Sequence, residues 1–488
     1  MEVDLVVKGG KVVTPGAVFP GGVAIDKGKI IGVCAGSAFP ASRREIDVKG
    51  KLIFPGIVDP EAHPGRPVPK EIKTESRAAA AGGITTWGIQ SPSPRLGPHF
   101  DPRGVTPEDV VSFNDVVPYC ISACEQDSSV DFFLTPMVET DEQAEEIPIY
   151  AEKFGITSYK FYLHCKNYEI AKHWSHGSGL VRGFDSGTVY IAMENVAKMG
   201  PPGVVSLHCE DWEIGRVLED RLKKQGRKDM AAWTDRSPPF TEAIHVAQYS
   251  YLAKVLGCAI HIQHVTTPET IEEIGRAKER GVIIYGQTGP HYLSLPKGTW
   301  KINVPLRDEE TIEKLWEALA KGFIDAIGSD HVVSRTRGKR DELLKDNVWD
   351  TISGFSSRVE SFLPVMLSEG VNKGKISLQR LAQVASENPA KIWGLYPQKG
   401  NLLPGSDADL TIVDLEKRVT VQNSMIHSTP GWSIYEGKEL KGWPVMTILR
   451  GEVIMEWKDN SPRAEIVGSP GGKYVRRSMG NSKYWYPL

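Results

Sequence analysis

Short apolar runs broken by glycine fill the first fifty or so residues: Leu5-Val6-Val7, Lys11-Val12-Val13, Val23-Ala24-Ile25 and Lys29-Ile30-Ile31-Gly32-Val33. Runs of that length between turn residues predict an antiparallel meander, which is too small to be stable without a partner sheet. The same texture returns at Ala408-Asp409-Leu410-Thr411-Ile412-Val413 and through 445–454. The two ends of the chain are therefore expected to build one small β-sandwich domain from residues 1–55 and 395–460, followed by a C-terminal tail, 461–488.

Between them the rhythm changes to strand, turn, helix. Val204-Val205-Ser206-Leu207 runs into His208, and Ala259-Ile260-His261-Ile262-Gln263 runs into His264. Thr267 and Pro268 then predict the cap and first turn of a helix that reaches Gly281. Asp308 opens another helix, with Ile312, Leu315, Trp316 and Leu319 on one face, and Gly322 closes it before a strand over 323–327. Alternating units of this kind imply a parallel sheet. About eight fit into residues 56–394 without a Gly-rich dinucleotide turn, so the expected fold class is α/β, a (β/α)8 TIM barrel rather than a doubly wound sheet. The charged runs 140–146 and 334–346 read as solvated surface.

Composition narrows the partners. The 488 residues exceed what one core usually organises. A net charge of -3, from 58 basic and 61 acidic residues, leaves no footprint for nucleic acid or an anionic membrane. A small neutral or mildly charged substrate fits better. Six cysteines without C-x-x-C spacing argue against a disulfide framework or a zinc ribbon and for a reducing compartment. The start carries no basic and apolar leader, and no apolar run approaches about 18 residues. The expectation is a cytoplasmic protein with no membrane partner.

In a barrel of this kind chemistry sits where strands end. Ile57-Val58 predict a short strand closed by Asp59-Pro60, after which Glu61 and His63, two apart, share one face of an extended segment. A carboxylate beside an imidazole suits a divalent ion such as zinc or manganese. Lys160, His208, His264 and Asp330 fall at further strand ends, so six residues of ligand type converge on a candidate metal centre. Lys160, between Tyr159 and Phe161, is costly to keep charged in a buried strand and is expected to lose its proton or be modified.

At this point the chain resembles the hydantoinase, dihydropyrimidinase and allantoinase branch of the amidohydrolases, over nearly its whole length. The resemblance is carried by Pro55-Gly-Ile-Val-Asp-Pro-Glu-Ala-His63, Gly155-Ile-Thr-Ser-Tyr-Lys-Phe161, His208-Cys-Glu-Asp211, Thr288-Gly-Pro-His-Tyr-Leu293, Val304-Pro-Leu-Arg307, Gly328-Ser-Asp-His331, Asn388-Pro-Ala-Lys-Ile-Trp-Gly-Leu395 and Gly405-Ser-Asp-Ala-Asp409. It implies a carbamate on Lys160 bridging two metal ions, zinc or else manganese or cobalt. His63 and Asp330 would hold the more buried ion, and His208 and His264 the other. It also implies metal-hydroxide attack on the ring carbonyl of a hydantoin, dihydropyrimidine, imide or ureide, with Asp330 as the catalytic base. A homo-oligomer, tetramer or dimer, is implied as well.

Several positions depart from the family. Glu61 stands where the family has the first histidine of its pair. It either ligates in that histidine's place and favours a harder ion, or leaves one metal and an unusual amide as substrate, or marks a non-catalytic scaffold like the family's neuronal relatives. Cys165 occupies the place of a substrate-holding tyrosine, which leaves Tyr162 and His164 nearby. With Asn303 these are the expected substrate-binding residues. Gln287 replaces the usual glutamate before Thr288, and Val304 a proline. His291 and His331 read as supports for the ligands or the fold. The aromatic stretch 167–190, with His173, Trp174, His176 and Phe184, reads as lid packing, a subunit contact or a substrate wall. Gly65 stands where dihydroorotase-like members carry an arginine, and Arg66 points to the other side. Dihydroorotate is therefore not an expected substrate.

Overall fold

The computed structural model describes residues 2–36, 38–64, 68–90, 111–165, 184–333, 346–351 and 357–480, with the side chains of 68–70 and 165 outside that set. Gly65, Arg66, His173, Trp174, His176 and most of the charged run 334–346 therefore lie outside the described residues.

Among the described residues, eight parallel strands form the expected barrel: Ile57–His63, Ile84–Ile89, Asp131–Leu134, Ser158–Tyr162, Val204–His208, Ile260–Ile262, Ile284–Thr288 and Ala326–Ile327. Nearly every position in them is buried, as a sheet covered on both faces requires. Chain neighbours pair in parallel throughout. The third and fourth strands meet through a bridge between Met137 and Lys160. After the eighth strand the chain steps through Gly328-Ser329-Asp330 and becomes extended again at His331–Val332, which pairs with Ala62 and His63 of the first strand. That return closes the ring.

The first strand does not end at Asp59-Pro60, as the sequence suggests, but continues to His63. Pro60 has no N–H to give to a ladder, and the register shifts between Asp59 and Ala62. The Asp59 carboxylate takes over the connection. It accepts the Ser329 N–H at 2.9 Å and the Ser329 hydroxyl at 2.5 Å, tying the first strand to the eighth.

Helix ends follow their capping residues. Thr267 Oγ1 accepts the Thr270 N–H at 3.3 Å at the start of Pro268–Glu279. Asp308 accepts the Thr311 N–H at 2.9 Å at the start of Glu309–Lys321, and Gly322 stops that helix at a φ of 90°. The strand expected over 323–327 is shorter, Ala326–Ile327. The Phe323 N–H is used instead to bond Ala318 O at the end of the helix.

The β-rich unit draws on both ends of the chain, and its strands are hydrogen-bonded into one sheet of nine strands among the described residues. The first two apolar runs fuse into one strand, Val3–Val13, with a register shift between Val7 and Gly10, where Gly9 takes a φ of 80°. The sheet forks at this bulge. The first half of the strand pairs with Ser42–Asp47, and the second half with Leu52–Pro55. Leu52–Pro55 leads on to Leu410–Thr420, Glu439–Leu449, Glu452–Glu456 and Glu465–Ile466. Among the described residues no helix is long and apolar enough to cross a membrane.

Barrel and sheet are locked by one buried cation. Lys399, 1% exposed, places Nζ 2.5 Å from Asp131 of the third barrel strand, 2.9 Å from Asp407 and 2.7 Å from Asp409. Lys29 from the meander and Arg450 from the sheet contact the same acids. Burial alone would push the ammonium towards neutrality; the three carboxylates outweigh it and hold the lysine charged. Removing one partner from a buried ion network leaves charge uncompensated, at a cost of about 3–5 kcal/mol. Lys399→Ala is accordingly expected to lower the denaturation free energy by that amount, and a loss below about 1 kcal/mol, the size of a surface pair, would contradict the locking role.

Candidate metal centre

The barrel places the expected ligands at or near the carboxyl ends of its first, fourth, fifth, sixth and eighth strands, and all the expected site residues but one are linked by contacts. Glu61 Oε1 lies 3.8 Å from Lys160 Nζ and 3.3 Å from His264 Nε2. The His264 ring centre is 4.3 Å from that of His208, which is 4.0 Å from that of His164. His164 packs edge-on against Tyr162 at 5.5 Å, and the Tyr162 hydroxyl is 3.3 Å from His63 Nε2. His63 Nε2 in turn lies 3.7 Å from Asp330 Oδ1. Asn303, half-buried after the seventh strand with Oδ1 lacking a hydrogen-bond partner, falls outside this chain of contacts.

Two of these residues sit in a backbone conformation that side chains disfavour. His264 has a φ of 37° and Asp330 a φ of 46°. Left-handed non-glycine residues cost of order 1–3 kcal/mol each and gather at functional sites. The local structure holds them there: the Val265 N–H bonds Gln287 O at 2.7 Å, and the His331 N–H bonds Ser329 Oγ at 3.0 Å.

Burial dominates the electrostatics. It would raise the Glu61 carboxyl, but His264, Lys160 and His63 outweigh it and hold the group below the usual carboxylate range. Burial pushes Lys160 down to about 8, against the pull of Glu61 and Asp330. Asp330 is raised by burial and by the Glu61 charge, and Arg358 opposes the rise. His208 and His164 are driven well below the ordinary histidine value, first by burial and then by the neighbouring rings and Lys160. Both imidazoles are therefore neutral, the form that binds metal.

The surroundings explain one departure from the family by another. Gln287 Nε2 donates to Glu61 Oε2. A glutamate at 287 could make that contact only by taking up a proton, so a carboxylate at 61 and an amide at 287 belong together. Arg358 Nη1 donates to Asp330 Oδ2 at 2.8 Å and lies 3.3 Å from His291 Nε2. Sequence reasoning passed over Arg358, which follows Asp330 by 28 positions and stands in no recognisable motif. His331 acts as a support, with Nε2 2.8 Å from Glu75 Oε2. Glu75 also accepts the Ser428 hydroxyl and the Thr429 N–H. The described cysteines are all free; the Cys165 side chain, expected near the substrate, lies outside the described residues.

The residues present fit a bound cation. His208 Nδ1 and His264 Nδ1 are buried without hydrogen-bond partners, each costing about 1–3 kcal/mol if left so. Ligand atoms of Glu61, His63 and Asp330 lie within 4.8 Å of one another, as do those of His164, His208 and Glu210. Neutral imidazoles and carboxylates are the donors that zinc and manganese take.

The chain is similar to known amidohydrolases. A sequence profile described as the Amidohydrolase family matches residues 224–454. The chain is 29% identical to an L-hydantoinase of Paenarthrobacter aurescens over 97% of this chain and 98% of that protein. It is 28% identical to an allantoinase of Escherichia coli over 97% of this chain and 99% of that one. Among solved structures, the L-hydantoinase (dihydropyrimidinase) from Arthrobacter aurescens matches with a TM-score of 0.85 at 29% identity, covering 97% of this chain and 100% of that one.

The contact between residues 61 and 287 is open to a double-mutant test. Gln287→Glu sets a second carboxylate against Glu61 and is expected to destabilise the metal-free chain by about 1–3 kcal/mol, measured by denaturation at pH 8. Adding Glu61→His should recover most of that loss; losses that simply add would show that the two positions are uncoupled.

Proposed function

Because the chain belongs to the hydantoinase, dihydropyrimidinase and allantoinase branch of the amidohydrolases, we propose that it is a metal-dependent hydrolase that opens the ring of a neutral cyclic amide. The observation that carries the proposal is the run of contacts at the strand ends that joins Lys160 to Glu61 and leads from Glu61 through His264, His208, His164, Tyr162 and His63 to Asp330. Divalent ions held by Glu61, His63 and Asp330 and by His208 and His264, with Lys160 carbamylated between them, would polarise a ring carbonyl and make water acidic enough to attack it near neutral pH.

The chain's own residues do the rest. Asp330 is the base: it takes the proton of the attacking water and returns it to the ring nitrogen as the amide bond breaks. Its two oxygens have separate tasks. Oδ1 faces His63, while Oδ2 is anchored by Arg358, which fixes the carboxylate's orientation and favours its ionised form. The Tyr162 hydroxyl and the Asn303 amide are the proposed contacts of the substrate's carbonyl oxygens.

The charge balance favours a neutral ring. Arg358 faces Asp330, so it is not set apart for a substrate carboxylate, and Lys160 once carbamylated is no longer a cation. Hydantoin, dihydropyrimidine, imide and ureide rings all satisfy this. A homo-oligomer is the proposed assembly, and the helix Phe240–Leu256 supports it by exposing Phe240, Ile244, Tyr251 and Val255 at helical spacing.

Asp330→Asn keeps the size of the side chain but cannot carry a proton between water and nitrogen. Roughly two to four decades of kcat should be lost, in line with general base catalysis, with the circular dichroism spectrum unchanged. The assay is a panel of hydantoin, dihydrouracil, allantoin, a cyclic imide and dihydroorotate. Near-normal turnover by the variant would refute the role of Asp330, and efficient cleavage of dihydroorotate alone by the parent would refute the neutral substrate.

A further inference from the structure

Asn303 follows three residues that are each anchored in a different direction. The Trp300 ring stacks on that of Trp432 at 5.5 Å between centres. Lys301, 8% exposed, donates from Nζ to Val348 O at 2.9 Å and to Thr351 O at 2.7 Å. Ile302 O accepts the Trp233 indole N–H at 2.9 Å. The Trp233 ring also lies 4.1 Å from Lys301 Nζ, so the ammonium and the indole brace each other. Three loops at the carboxyl end of the barrel meet here. Met230–Asp235 follows the fifth strand, 300–303 the seventh and 346–351 the eighth. Two further bonds tie the last to the chain just before Met230, from the Val348 N–H to Lys228 O at 2.9 Å and from the Trp349 indole N–H to Arg227 O at 2.8 Å. Burial, and after it the nearby Arg236, pushes the Lys301 ammonium down to about 7. An apolar side chain of the same length would pack there without that electrostatic cost.

Building on the cyclic-amide reading above, we propose that Lys301 is a positioning residue which, with Trp233, clamps the loops after the fifth and eighth strands to the loop that presents Asn303 to the substrate. The bonds of the clamp run to main-chain carbonyls, so they fix where the loops lie whatever side chains those loops carry. Asn303 Oδ1 is buried without a partner, so this side chain is not spent on holding its own loop. A contact made to the intact ring and kept as the ring opens adds to binding without changing the chemical step. Loss of the clamp is therefore felt in KM rather than in kcat.

The test compares the full-length parent with Lys301→Met, which keeps the length of the side chain and removes the donor, on the ring of the panel that the parent opens best. KM should rise about tenfold, the worth of one hydrogen bond, with kcat within about twofold of the parent. Hydrogen exchange read by mass spectrometry should quicken about tenfold or more in 346–351 and stay unchanged in the barrel strand Val204–His208. Trp233→Phe keeps an aromatic ring beside Lys301 but gives up the bond to Ile302 O, and it should raise KM and quicken exchange in the same way. It decides the question alone if Lys301→Met does not fold, as judged by circular dichroism. The double variant should cost less than the two losses added, because both residues serve one clamp. Exchange as slow as the parent's in a folded variant overturns the inference, and so does an unchanged KM or a kcat that falls as far as kcat/KM. A parent that opens no ring removes the cyclic-amide reading instead, and exchange in 346–351 then decides by itself whether the clamp exists.

Discussion

Glu61 lies in the second half of the first barrel strand with its side chain sealed from solvent, so its charge has to be met from inside the protein. An unpaired buried carboxylate is too costly to keep ionised. The surroundings answer it from three directions: Lys160 from the fourth strand, His264 beyond the sixth, and the Gln287 amide from the seventh. Asp330, the second acid of the centre, is answered separately by Arg358. The acids and bases of the site thus come close to balance before any ion arrives. An entering cation trades with these internal pairs rather than filling an empty anionic cup, and the neutral imidazoles of His208 and His164 can bind it without first losing a proton.

That arrangement depends on how the barrel closes. Asp59, two residues before Glu61, grips Ser329, and the chain beyond Ser329 returns to pair with the first strand. Asp330 is carried between these two fixed points in a left-handed conformation that it would not adopt alone. His264 is held in the same way between the sixth strand and a bond to the seventh. Strain at two residues of the site is therefore supported by ladders on either side. The Lys399 cluster fixes the third barrel strand to the sheet built from both chain ends, so the two halves of the fold are not independent.

Much of this is legible in the sequence because buried parallel strands announce themselves as apolar runs, and a polar residue that ends such a run marks a strand end. Val204–His208 is the plainest case, and Lys160 inside Ser158–Tyr162 is the most informative. Capping residues likewise mark the starts of Pro268–Glu279 and Glu309–Lys321. What the pattern does not carry is pairing across distance. Gln287 and Glu61 meet across 226 positions, so either departure alone looks like a lost ligand or a lost partner. Arg358 reaches Asp330 through a fold of the chain that no periodicity encodes. The first strand outruns its expected end because Asp59 bonds Ser329, a contact invisible before the barrel is closed. The fusion of two short runs into Val3–Val13 depends on a bulge at Gly9, where a turn would have been equally consistent with the residues.

The measurement that bears most directly on this account is ring opening by the same protein before and after metal removal, followed by the appearance of the ring-opened acid in a chromatographic assay over the cyclic amide panel. The chelator-stripped chain is expected to be inactive on every ring, and at least one ring should be opened again when zinc and manganese are returned. Undiminished turnover by the stripped chain would contradict the account, and so would full metal uptake with no ring in the panel opened.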